Sequence, residues 1–229
     1  GLLAGWFGTK IPLAVQIQAE AMRRRLAWFA RVQACQRAEG WMVAGVERAI
    51  ACELGGLHLT GKVDRIDRHE DGRWRVLDYK TGSINSVEGE HRTRVISSTR
   101  LPEHMADDDR LLAVVVDGKG KETTMWWRNL QLPLYLSGLR RMGVELGNEP
   151  EAGYFLIGST EASVEVCCWE GFSGEDLASA ERCGEAVVER VQAGVFWPPA
   201  DRTAHGDYDE LAMGRLLRKT VAQPEDWRP

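Results

Sequence analysis

The chain has 229 residues, 44% of them apolar, which suits one domain of generous size or one domain with an insertion and argues against global disorder. Its net charge of -5 argues against a protein that coats nucleic acid by bulk charge, although a local basic groove stays open, because nearby residues set the field in a cleft. The five cysteines, an odd number without a Cys-x-x-Cys pair, speak against a disulfide framework or a zinc site.

No apolar run reaches the length that spans a bilayer, and no charged-then-apolar leader opens the chain, so the expected location is cytoplasmic with no membrane partner. The opening Gly1-Leu2-Leu3, without methionine, reads as a piece of a longer protein or a processed chain. Residues 1 to 12 are Gly-rich and apolar and are expected to form a loop or the tail of an upstream element. From Leu13 to Ala38 there is no Gly or Pro, and Ala, Gln, Arg and Leu dominate, which predicts a long helix stopped by Gly40. Leu26, Phe29, Ala30, Gln33 and Arg37 fall at helical spacing on its apolar side.

Val43 to Leu54 reads as a strand, turned by Gly55-Gly56 into a second from Leu57 to Arg68, with a third from Arg73 to Lys80. Between residues 83 and 126 lies an insertion. Its polar parts read as loops, and Leu111 to Asp117 reads as a buried strand. Trp127 to Met142 reads as a helix, with Pro133 kinking it or marking its first turn. Gly153 to Ile157 and Ser163 to Trp169 form a second hairpin. A helix from Gly174 to Ala193 with an acidic first turn is expected next, and Tyr208 to Thr220 reads as a short final helix. The organisation expected is an N-terminal loop and helix (1–40), a core (41–195) carrying the insertion, and a C-terminal extension (196–229).

The chemistry concentrates between Gly61 and Gly82. Two alternating segments flank an Asp71-Gly72 turn, a strong hairpin signal. Strand parity puts Asp64 on a face with Lys62 and Ile66, and Asp78 on a face with Lys80. Pairing that sets Asp64 beside Asp78 brings two carboxylates and an ammonium together, and such carboxylates repel unless a cation lies between them. Hard oxygen donors suit Mg2+ or Mn2+. Asp67 faces away, and with Arg65 and Arg68 nearby it reads as a structural ion pair.

Gly61-Lys62-Val63-Asp64-Arg65-Ile66-Asp67, then Leu77-Asp78-Tyr79-Lys80-Thr81-Gly82, then Gln131-Leu132-Pro133-Leu134-Tyr135 form an ordered set. This set resembles the RecB-type nuclease domain of the PD-(D/E)XK superfamily, over roughly residues 41 to 195. The nearest likeness is to the C-terminal modules of AddB-like and RecB-like repair proteins, some described as DNA repair exonucleases. The resemblance implies an α/β fold, a central mixed sheet flanked by helices with a restriction-endonuclease-like core. It implies a Mg2+- or Mn2+-dependent deoxyribonuclease, an exonuclease, acting in DNA repair or recombination. DNA would be its partner, beside an upstream helicase-like region of the same protein. Asp64, Asp78 and Lys80 would be catalytic. Asp64, Asp78 and the Tyr79 carbonyl would hold the metal. Gln131 and Tyr135 would contact DNA or support the site. The alternative is a catalytically inactive DNA-binding or scaffolding module.

Relatives of this kind commonly add a His or Glu from an upstream helix. Glu20 and Glu47 are candidates here, with a solvated helix face and a cross-strand partnership with Lys62 or Arg65 as their plainer readings. His58 reads as structural or exposed. Residues 201 to 220 contain no cysteine, so no iron–sulfur cluster is expected. Trp126-Trp127 would stack on unpaired bases or pack in a core. His91, Arg92, Arg94, Arg100, Lys119 and Lys121 would form a phosphate-contacting flap or a solvated loop.

Overall fold

The computed structural model describes residues 2–8, 10–96, 108–116, 119–147 and 149–195. Two compact units emerge: one from Gly1–Cys52, His58–Arg92 and Arg128–Leu177, the other from Glu53–Leu57, Thr93–Trp127 and the chain from Ala178 onward.

The first unit is built on a five-stranded mixed sheet in the order β1-β2-β3-β7-β8, flanked by helices, a restriction-endonuclease-like arrangement. Its strands are β1 (Trp41–Leu54), β2 (Leu57–His69), β3 (Trp74–Lys80), β7 (Glu151–Ile157) and β8 (Val164–Cys168). β2 and β3 run antiparallel, with Arg65 opposite Leu77 and Asp67 opposite Arg75. β3 and β7 run parallel, with Asp78 beside Tyr154 and Tyr79 beside Phe155. β7 and β8 close the second hairpin, with Tyr154 opposite Cys167.

Helix α2 (Leu13–Ala38) covers one face of this sheet. Trp28, Phe29 and Val32 pack on Leu77, Phe155 and Val164. The apolar side therefore centres on Trp28 and Val32 as well as Phe29, while Leu26 stands exposed. The helix stops where Gly40 takes a positive φ of 97°, and a side chain there would run into His69. Beneath α2 lies a buried ion cluster. The Asp67 carboxylate accepts from Arg65 Nε at 2.6 Å and from Arg75 Nη2 at 2.9 Å. Arg75 thus takes the place expected of Arg68, whose guanidinium lies over the Trp74 ring.

Helix α4 (Gln131–Arg141) covers the other face, against β3 and β7. Leu132, Leu136 and Leu139, at helical spacing, are fully buried. Gly138 lets Ile50 approach, since a Cβ there would sit 2.9 Å from its Cδ1. Pro133 occupies the first turn, where its missing N–H is no loss.

The second unit holds a three-stranded sheet in the order β4-β6-β5, from β4 (Arg92–Arg94), β5 (Leu112–Val116) and β6 (Glu122–Trp127). Trp127 is buried there, its indole donating to Ser179 Oγ at 3.1 Å. Helix α5 (Gly174–Gln192) gives its residues up to Leu177 to the first unit and those from Ala178 to the second.

Several expectations change. The opening stretch contains a short helix, α1 (Leu2–Phe7), not only loop. Residues 83 to 93 contain helix α3 (Val87–His91), started by the Ser86 hydroxyl accepting from Gly89 N. Trp127 ends a strand instead of opening a helix, and the helix starts at Gln131, where the Asn129 side chain accepts from its N–H. The helix expected from Tyr208 to Thr220 and the extension from 196 lie outside the described residues, as does Arg100. All five cysteines are free thiols. No helix among the described residues is long and apolar enough to cross a membrane.

Candidate functional site

The site lies where β2 and β3 part. Their pairing ends at Arg65 and Leu77. One position further along, Asp64 and Asp78 face each other on the side covered by α4. There the Tyr79 N–H no longer bonds to β2 backbone and donates instead to Asp64 Oδ2 at 3.0 Å. The N–H and C=O of one strand residue point the same way, so the Tyr79 carbonyl also faces the Asp64 side. Its ring turns to the opposite face, against Phe29 and Phe155.

Gln131, at the start of α4, spends both amide hydrogens on the site. Its Nε2 donates to Asp78 Oδ1 at 3.0 Å and to the Tyr135 hydroxyl at 3.0 Å. One turn of helix separates Gln131 from Tyr135, which stacks them on one face.

Asp78 is half-buried, and its carboxyl is pushed up to about 6. Burial is the main cause, the charge and hydrogen bond of Asp64 add to it, and Lys80 opposes it. Asp78 therefore keeps its proton to a higher pH than an ordinary carboxyl, and a cation between the two carboxylates would favour its ionised form. Burial also raises the Tyr135 phenol, with Asp78, Asp64 and Glu47 all contributing. Glu47 is therefore within electrostatic reach of the pair. Its backbone takes a positive φ of 50° within β1, the one non-glycine to do so among the described residues, and its side chain pairs with Lys62 at 2.9 Å.

Lys80 points to the same face. Its ammonium pairs with Glu90 of α3 and lies 4.7 Å from the centre of the Tyr154 ring. Next to Glu90, His91 is buried. Its Nδ1 is 2.8 Å from the Asn129 carbonyl and its Nε2 is 2.8 Å from the Tyr154 hydroxyl. A carbonyl only accepts, so Nδ1 carries the proton and Nε2 accepts from Tyr154. Burial holds the imidazole down at about 4, hence neutral.

The structure thus brings Asp64, Asp78, the Tyr79 backbone, Lys80, Gln131 and Tyr135 together on the α4 side of the sheet. It separates others from them. Glu20 lies on the α2 side of the sheet, paired with Arg23 and Arg24. His91 and Arg92 are buried, so neither belongs to an exposed flap. Arg92 pairs with Glu88 and Asp176. Glu90 and Tyr154 are additions that the sequence reading missed, and His91, read from the sequence as part of a flap or loop, is instead a buried partner of Tyr154. The signal for Tyr154 was the crossover through α4, which lays β7 beside β3 and puts Tyr154 level with Asp78.

Two facing carboxylates with a backbone carbonyl alongside are hard oxygen donors that fit a small divalent cation. No group of three His, Cys, Asp or Glu set to hold a metal occurs among the described residues. Two carboxylates suit Mg2+, which keeps much of its water shell.

Residues 5–95 match the family model of the PD-(D/E)XK nuclease superfamily. Members of that superfamily are typically nucleases that use divalent metal ions. The matched stretch carries α2, β1 to β3 and α3, and so includes Asp64, Asp78 and Lys80 and ends ahead of Gln131. No curated protein matches the chain.

Proposed function

We propose that this chain is a metal-dependent DNA nuclease module that hydrolyses phosphodiester bonds as an exonuclease. Its setting would be a DNA repair or recombination protein of the RecB or AddB type, with a helicase-like region upstream. The observation that carries the reading is the Asp64–Asp78 pair, poised for a cation, with the Lys80 ammonium on the same face. The superfamily match over residues 5–95 supports it.

Asp64, Asp78 and the Tyr79 carbonyl would hold the metal. When bound, Mg2+ or Mn2+ supplies an activated water and neutralises charge on the phosphate. The chain's own residues do the rest. The Tyr79 N–H and Gln131 amide fix one oxygen of each carboxylate, so little reorganisation is needed when charge arrives. Lys80 offers a cation to a phosphate oxygen and an N–H to orient the attacking water. Tyr135 and Gln131 line the approach and present donors to the backbone of the DNA.

The test is cleavage of end-labelled linear DNA, with a closed circle as control. Digestion of the linear form alone marks an exonuclease. Asp64→Ala, Asp78→Ala and Lys80→Ala are each expected to abolish Mg2+-dependent cleavage with unchanged circular dichroism. Robust cleavage by Asp78→Ala contradicts the reading. Failure of the wild type to bind Mn2+ in a calorimetric titration favours an inactive DNA-binding scaffold.

A further inference from the structure

A lysine at the exposed end of a strand ordinarily samples many rotamers, at a cost of up to about 2 kcal/mol to order. Lys80 is held on two sides instead. Glu90 takes its ammonium directly, and the Tyr154 ring lies beneath it. Both contacts lead back to α3. Glu90 and His91 are consecutive in that helix, and His91 fixes the ring by accepting the Tyr154 hydroxyl proton. The same histidine binds the carbonyl of Asn129, whose side chain accepts from the N–H of Gln131, which in turn holds Asp78. His91 also stacks on Trp169, ring centres 5.0 Å apart, so it cannot shift without opening that contact.

We propose that α3 is a brace for the reaction centre and that Glu90 is a positioning residue for Lys80. Glu90 sets where the ammonium sits above Tyr154. His91 holds the Tyr154 platform and, through Asn129 and Gln131, keeps the Asp78 carboxylate in register with it. Glu90 touches neither DNA nor metal and acts through Lys80. The inference rests on the nuclease reading for its consequence, but the brace itself has a readout that needs no DNA or metal. A ring face shields nuclei above it, so the Lys80 side-chain protons resonate upfield of those of the other lysines.

The experiment is a proton–carbon spectrum of metal-free protein labelled with carbon-13 in lysine, the Lys80 signal being assigned by its loss in Lys80→Arg. Glu90 is partly exposed, so Glu90→Ala is expected to fold. In that variant the Lys80 signal is expected to move to the position of the other lysines. The kcat for DNA cleavage falls ten- to a hundredfold with KM and the Mg2+ dependence unchanged, since an ångström-scale misplacement costs about 10²-fold. Glu90→Gln keeps an oxygen that accepts from the ammonium, and retains most of both the upfield signal and kcat. An upfield signal that survives Glu90→Ala overturns the proposal, as does an unchanged kcat in a variant whose signal has moved. A wild type that shows the upfield signal yet cleaves no DNA sinks the nuclease reading and leaves the brace standing.

Discussion

Replacing Asp78 with asparagine should stabilise the metal-free protein. The carboxyl rises from 3.8 to about 6 because burial and the Asp64 charge both oppose its ionisation. At 1.36 kcal/mol per unit this amounts to about 3 kcal/mol against the ionised form for a group shut off from water. Asp78 is only half-buried, so solvent screening brings the figure down to roughly 1 kcal/mol. The folded state binds this proton more tightly than the unfolded chain. The contribution is therefore complete below 3.8 and is lost as pH rises through about 6. Above that the wild type carries the penalty and Asp78→Asn does not. Asparagine copies the protonated acid: its oxygen still accepts from Gln131, and its amide donates to Asp64 as the protonated Asp78 carboxyl does. In EDTA at about pH 8 the variant should melt roughly 2–4 °C above wild type, and the gap should close as pH falls toward 4. Mg2+ should raise the melting temperature of the wild type and leave the variant unmoved, because only a ligand bound by the folded state stabilises it. A variant that melts below wild type in EDTA, or by an offset independent of pH, refutes the reasoning.

Other outcomes follow from the same geometry. Asp67→Ala strands two buried guanidiniums, Arg65 and Arg75, and should cost about 3–5 kcal/mol in urea unfolding. Its effect on stability should exceed that of any substitution at Asp64. His91 is held neutral with its value lowered from 6.5 to about 4, so the stability it contributes is present above 6.5 and lost as pH falls toward 4. The sign is opposite to that of Asp78 in an overlapping window. Asp78→Asn should therefore show a steeper acid limb in a pH series of melting curves than the wild type. Gln131→Ala frees both Asp78 and Tyr135, and should lower kcat more than it lowers the melting temperature in parallel assays.

Much of the site was legible from strand parity. An Asp-Gly turn and two alternating segments put Asp64, Asp78 and Lys80 on one face and turn Asp67 and Tyr79 to the other, because successive side chains alternate. Whether Asp64 lies level with Asp78 depends on register, which the turn sets. Here the pairing of Arg65 with Leu77 supplies it. What escaped depends on contacts between distant segments. Nothing local reveals that His91 sits between Tyr154 and Trp169, some 60 and 80 residues away along the chain, so a polar stretch at 83–93 reads as loop. The Ser86–Gly89 cap was the one local sign of α3. Trp126 and Trp127 adjoin a helix-forming stretch, and only the pairing of Leu112 with Trp126 assigns them to a strand. Arg75 displaced Arg68 as the partner of Asp67 because the cross-strand register sets Arg75 directly opposite.

The most direct test of the account is the cleavage of end-labelled linear DNA by the purified chain in Mg2+, wild type against Asp78→Ala. The account predicts digestion by the wild type, its loss in EDTA, and none by Asp78→Ala despite a native fold. Equal cleavage by the two proteins would contradict it.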